Sequence, residues 1–96
     1  MSVIIVTGGT FGLGQAITVE LARRGHQVVA FGLAQPQISS TAKGVESLLV
    51  ELKSIGCTAD VLEADVSDAA DIQRVTDHVI TRYGVIHGLV NNAAIG

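Results

Sequence analysis

Thr7-Gly8-Gly9-Thr10-Phe11-Gly12-Leu13-Gly14 is the most informative stretch of this chain. It follows Val3-Ile4-Ile5-Val6 directly, a β-branched run suited to a buried strand. Beyond it Leu13, Ile17 and Leu21 recur at i, i+4 spacing, which predicts a helix that Gly25 terminates. Glycines between a strand and a helix let the backbone turn tightly and approach a pyrophosphate closely. The helix start then offers free N–H groups and the positive end of its dipole to phosphates. Glycine is common in loops, so a plain strand–helix turn is the competing reading, and only the surroundings separate the two.

Those surroundings repeat the same alternation. Gln27 to Phe31 reads as a second strand, and Leu33 to Thr41, with Pro36 and two serines, as a loop. Val45, Leu48, Leu49, Leu52 and Ile55 form a helical stripe that stops at Gly56, and Thr58 to Glu63 is a third strand. Ser67 is the expected N-cap of the next helix, with Asp68 and Asp71 at the positive end of its dipole. Ile72, Val75, Val79, Ile80 and Tyr83 give that helix an apolar face, Gly84 ends it, and Ile86 to Val90 is a fourth strand. A βαβαβαβ order implies a parallel sheet with helices on its faces. Right-handed crossovers make it an α/β, doubly wound, Rossmann-type sheet of strand order 3-2-1-4.

Composition agrees. Hydrophobic residues make up 48% of the 96-residue chain before its 11 glycines are added, and charged residues only 16%. Strands buried on both faces have no polar side to show, and their proteins have such a balance. A net charge of −3 with six scattered cations leaves no electrostatic footprint for nucleic acid or an anionic membrane. No run approaches the ~20 apolar residues of a membrane span, and the apolar start is too short for a signal peptide. One cysteine, Cys57, cannot form an internal disulfide. A soluble, cytoplasmic protein is the expectation.

The spacing Thr-Gly-x-x-x-Gly-x-Gly (Thr7, Gly8, Gly12, Gly14) differs from the commoner Gly-x-Gly-x-x-Gly. Asp65-Val66 follows the third strand, and Asn91-Asn92-Ala93-Ala94 follows the fourth, with Tyr83-Gly84 just before it. These ordered motifs resemble those of the short-chain dehydrogenase/reductase family, over the length of the chain. The resemblance implies that residues 1–96 are the N-terminal, cofactor-binding half of a single Rossmann-type domain. It places Gly8, Gly12 and Gly14 at the pyrophosphate, counts Phe11 and Leu13 with them as cofactor-binding, and gives Thr7 and Thr10 hydroxyls that order the loop or bind a phosphate or ribose. Gly32 and Leu33 would lie at the adenosine ribose. Asp65 would accept from the adenine amino group with the Val66 backbone completing the contact, or serve only as a carboxylate at a helix start. Asn91 would tie the fourth strand to its neighbours or touch the cofactor, and Ala93 and Ala94 would pass close to the ribose.

Departures from the pattern carry information too. Ala94 stands at a glycine position, a mild change, and His87 stands where aspartate is usual and reads as a surface or turn residue. An acidic residue ~20 positions past the loop holds the ribose hydroxyls of NAD. Gly32 and Leu33 occupy that place, so the carboxylate is missing, and no arginine replaces it to pair with the 2′-phosphate of NADP. Ser39, Ser40, Thr41 and Lys43 are the polar residues that follow. The cofactor is therefore expected to be NADP or NAD, with a slight lean to NADP.

The family's chemistry needs a tyrosine with a lysine four residues on, plus a serine, in the second half of the fold. There the tyrosine is the general acid/base and the lysine lowers its pKa. The single tyrosine here, Tyr83, is followed by His87 and lies on the stripe of a helix, so it reads as a packing residue. No catalytic residue is named, and the chain alone is expected to be inactive. His26, His78 and His87 form no metal-ligand pattern, and Cys57 reads as a small buried residue. An apolar fourth strand left as an open edge predicts that the natural protein continues past Gly96. In the complete protein, expected to be a homo-oligomer, the implied reaction is hydride transfer between NAD(P)H and a carbonyl or secondary alcohol. A truncated, non-catalytic dinucleotide-binding module is the alternative. A methyltransferase with a similar loop is the third reading, and Asn91-Asn92-Ala93 speaks against it.

Overall fold

Seven elements alternate along the chain: β1 (Val3–Thr7), α1 (Gly12–Arg23), β2 (Gln27–Gly32), α2 (Ser39–Ser54), β3 (Asp60–Glu63), α3 (Ala69–Tyr83) and β4 (Gly88–Asn91). The computed structural model describes residues 2–10, 12–32 and 39–92, without the side chains of 39–45. Phe11, Leu33, Ala93 and Ala94, each expected at the cofactor, lie outside the described residues, as do the side chains of Ser39, Ser40, Thr41 and Lys43. The strands form one parallel sheet in the order β3-β2-β1-β4, as expected. Its register pairs Thr7 with both Phe31 and Asn91, and Gly32 with Glu63, so the C-terminal ends of all four strands meet at one sheet edge.

Strand alternation sorts the core into two layers. Val3, Ile5, Val29 and Phe31 point to the face covered by Val75 and Val79 of α3. Val6, Val28 and Ala30 point to the other face, against Ala22 of α1 and Leu48 and Leu52 of α2. Each fully buried aliphatic side chain of this kind contributes about 1.5–3 kcal/mol. Helices on both faces make the sheet doubly wound.

Several sequence expectations are corrected at this level. The face of α1 turned to the sheet is Gly14, Thr18 and Ala22, while Leu13 is 71% exposed and Ile17 and Leu21 only flank the core. Small residues win that face because they let the helix approach the sheet closely. Among the described side chains of α2 only Leu48 and Leu52 are buried, and Leu49 and Ile55 face solvent, as does Ile80 of α3; the side chain of Val45 lies outside the described residues. Helix α2 begins at Ser39, inside the stretch expected to be loop, and β3 and β4 start later than expected, at Asp60 and Gly88.

The cap of α3 is Asp68, not Ser67. The Asp68 side chain accepts from the N–H groups of Ala70 and Asp71, whereas the Ser67 hydroxyl is spent on Asp65 Oδ1 at 2.7 Å. At the other end Gly84 adopts φ 78°, closing the helix with a bond from its N–H to the Ile80 carbonyl, as its position predicts. Among the described residues, no helix is long and apolar enough to cross a membrane.

Candidate functional site

The strand order reverses beside β1, which pairs with β2 on one side and β4 on the other. In open α/β sheets the crevice at such a switch point, beyond the carboxyl ends of the strands, is where ligands bind. The glycine loop occupies that place here, running from the end of β1 into the start of α1.

The loop is closely packed. A β-carbon on Gly14 would stand 1.9 Å from the Gly8 carbonyl oxygen and 2.6 Å from Asn92 Nδ2. Only glycine allows α1 to start this close to β1. The Thr18 hydroxyl, fully buried one turn further on, lies 2.9 Å from the Gly14 carbonyl and 3.1 Å from that of Gly9, and so ties loop to helix. The Gly9 N–H donates to the Phe31 carbonyl at 3.2 Å, anchoring the loop over the end of β2. No acidic side chain sits in the first turn of α1 to occupy its unpaired N–H groups.

Thr7 joins β1 to the end of β4. Its hydroxyl accepts from the Asn92 N–H at 2.9 Å and donates toward Asn91 Oδ1 at 3.1 Å. Asn92 Nδ2 in turn donates to the Gly8 carbonyl at 3.3 Å. Asn91 thus ties the strands together as expected. Sequence reasoning missed that the neighbouring Asn92 is the residue that reaches the loop. The signal available was the alternation of a strand, which sends adjacent side chains to opposite faces.

Gly32, at the end of β2, is joined to β3 by a bond from the Ala64 N–H to its carbonyl at 3.0 Å. Asp65 follows at once. Its Oδ1 accepts from the Ser67 hydroxyl at 2.7 Å and from the Ser67 N–H at 2.9 Å, and its own N–H donates to Asp71 Oδ2 at 2.9 Å. The two Ser67 donors, the hydroxyl first, hold its carboxyl below the usual carboxylate range. Asp65 therefore stands ionised at the sheet edge that carries the glycine loop, and Val66 packs partly into the core beneath it. Gly8, Thr10, Gly12, Leu13, Gly14, Gly32, Asp65, Val66 and Asn91 are all brought to this edge or to the turn that opens from it.

Thr10 is only 1% exposed, and its hydroxyl has no partner among the described residues. A loop packed too closely for a β-carbon at Gly14, a first helical turn with no acidic side chain and a buried hydroxyl with no partner among the described residues are features that fit a phosphate-bearing dinucleotide.

Tyr83 lies elsewhere. Helix α3 runs back from that edge, and its last turn meets the start of β3, where the Tyr83 hydroxyl donates to Asp60 Oδ2 at 2.8 Å. His78 Nε2 shares the same carboxylate oxygen at 2.9 Å, and Arg82 Nε donates to the Tyr83 oxygen at 3.0 Å. Burial raises the Tyr83 phenol above its ordinary value, with the Arg82 donor opposing. This cluster was not foreseen, because nothing local joins residue 60 to residues 78–83. His87 is also more than a turn residue: its N–H donates to the Val3 carbonyl at 2.8 Å, and its Nδ1 accepts from the Val3 N–H at 2.9 Å, extending the β1–β4 ladder. Among the described residues no group of three His, Cys, Asp or Glu is placed to hold a metal ion.

A family model described as short chain dehydrogenase matches residues 2–96. The chain is 38% identical over 94 residues to a sepiapterin reductase of Chlorobaculum tepidum, covering 98% of this chain and 38% of that protein. It is 33% identical over 93 residues to the short-chain dehydrogenase/reductase homolog YusS of Bacillus subtilis, covering 97% of this chain and 80% of YusS. The solved structure of an actinorhodin polyketide ketoreductase variant with NADPH superposes with a TM-score of 0.81 at 32% identity, over 98% of this chain and 33% of that one.

Proposed function

The chain belongs to the short-chain dehydrogenase family, and on that basis we propose that it binds a nicotinamide dinucleotide at the glycine loop. The supporting observation is the close approach of Gly14 to the Gly8 carbonyl, which sets the start of α1 against the end of β1 beside the point where the strand order reverses. On this reading Gly8, Gly12, Leu13 and Gly14 line the pyrophosphate, together with Phe11. Thr10, Gly32 and Leu33 flank the adenosine ribose, Asp65 and Val66 meet the adenine, and Asn91, Ala93 and Ala94 close the crevice from β4. Ionised Asp65 is in the right state to accept from an adenine amino group.

The cofactor supplies or takes up a hydride when bound. The complete protein's reaction is then hydride transfer between NAD(P)H and a carbonyl or secondary alcohol. This chain spans only about two-fifths of the sepiapterin reductase it matches. The resemblance implies a tyrosine and a lysine that move the proton, and Tyr83, bound to Asp60 at the far end of α3, does not serve as that tyrosine. The chain on its own binds without turning over. The other reading, a truncated module that never catalyses, is less favoured, because the relative at 38% identity carries the name of a reductase.

Gly32 adds no charge at the ribose and so does not itself repel a 2′-phosphate, and NADP is slightly preferred over NAD. No nucleic acid or membrane partner is called for, and a soluble, cytoplasmic, oligomeric complete protein is consistent with this reading. Fluorescence titration of the chain with NADH and NADPH tests binding and preference together. Saturable binding of both, tighter for NADPH, is expected, and no binding of either refutes the proposal.

A further inference from the structure

Gly32 has an ordinary backbone: the glycines with positive φ among the described residues are Gly8, Gly12, Gly25, Gly56 and Gly84. Any L-residue fits its main chain. What excludes a side chain is Thr10, because a β-carbon on Gly32 would stand 2.7 Å from Thr10 Oγ1 and 3.7 Å from its methyl group. Neither partner can back away freely. Position 32 is held by the bond from the Ala64 N–H to its carbonyl, and the preceding Phe31 carbonyl is held by Gly9. Thr10 is almost completely buried, so turning its side chain drives the hydroxyl or the methyl into packed neighbours.

We propose that Thr10 is a specificity-determining residue: by filling the space of a β-carbon at position 32, it bars a carboxylate from the end of β2 and so leaves the ribose site open to a 2′-phosphate. The inference rests on the dinucleotide reading of the loop and names what sets its preference. A carboxylate at the end of β2 holds the two ribose hydroxyls of NAD and repels the phosphate of NADP. Here the absence of that carboxylate is a consequence of Thr10, and the two positions form one unit.

The test is a double-mutant cycle with two readouts, made on the chain itself. For stability, Gly32→Ala is compared in the parent and in the Thr10→Ala background. The fall in thermal midpoint expected in the parent should shrink to less than half in that background, since the obstructing atoms are gone. For binding, Gly32→Asp is compared with Thr10→Ala/Gly32→Asp by NADH and NADPH fluorescence titration. The double variant should prefer NADH over NADPH by about tenfold more than the single one, a usual size for contacting residues. Equal stability losses in both backgrounds, or equal cofactor ratios with and without the threonine, overturn the proposal. If the parent binds neither cofactor while the stability cycle is coupled, the dinucleotide reading is what fails, and the selector role falls with it.

Discussion

Gly14→Ala separates helix propensity from the packing of the glycine loop, because the two predict opposite signs. Within a helix, alanine is favoured over glycine by about 1 kcal/mol, so propensity alone predicts a gain. Here the new β-carbon would stand 1.9 Å from the Gly8 carbonyl oxygen and 2.8 Å from its carbon, well inside the 3.0 Å that β-carbons respect. Main-chain atoms cannot rotate aside as a side chain can, so α1 and the end of β1 must move apart. Overpacking of that kind costs typically 1–3 kcal/mol, with the upper end apt for a backbone obstacle. The displaced Asn92 amide also loses its bond to the Gly8 carbonyl, worth about 1 kcal/mol. Subtracting the propensity gain of about 1 kcal/mol leaves a net loss of about 2–3 kcal/mol. Gly12→Ala is the control: its φ of +56° costs about 1–2 kcal/mol for an L-residue, but a β-carbon there meets nothing within 4 Å. Urea denaturation followed by far-UV circular dichroism ranks the two. If Gly14→Ala proves as stable as the parent, or no less stable than Gly12→Ala, close backbone packing is not what keeps glycine at position 14.

Three further outcomes follow from the same contacts. Asp68→Ala should lower stability by about 1 kcal/mol, the usual cost of losing an N-cap, and Ser67→Ala by less than ~0.5 kcal/mol in the same denaturation assay; the reverse order would restore Ser67 as the cap. Thr7→Val, nearly isosteric, strips the acceptor from the Asn92 N–H and the donor from Asn91, so a loss of about 1–3 kcal/mol is expected by denaturation, and a neutral result would mean the hydroxyl bridge is dispensable. Asp65 should titrate below a normal aspartate when its carboxyl carbon is followed by NMR, and Ser67→Ala should move it upward. Because its folded pKa is depressed, the stability it contributes is present above the unfolded carboxylate value and is lost as pH falls through the folded one. An unshifted Asp65, or one indifferent to Ser67, would remove the hydrogen bonds as the cause.

Much of the fold was legible because its signals are local. Val3 to Val6 and Val28 to Phe31 are apolar on both sides, and Gly25, Gly56 and Gly84 end helices through their own backbone freedom, with φ of 90°, 73° and 78°. Alternation of strand and helix then leaves few right-handed arrangements, and 3-2-1-4 is the one found. The glycine loop was legible for the same reason, since its strand and helix flank it directly.

The order of elements, the sheet topology and the sheet edge that carries the candidate site can thus all be read from residue patterns alone. Which side chains act at that edge emerges only when the elements pack together. Leu13, Ile17 and Leu21 are the hydrophobic stripe of α1, yet Gly14, Thr18 and Ala22 face the sheet, because the distance between helix and strand rewards small residues there. Asn92 rather than Asn91 reaches the Gly8 carbonyl, and Thr10 stands against Gly32, far along the chain from it. Contacts between residues so far apart depend on the three-dimensional packing of one element on another, and no local pattern encodes that distance.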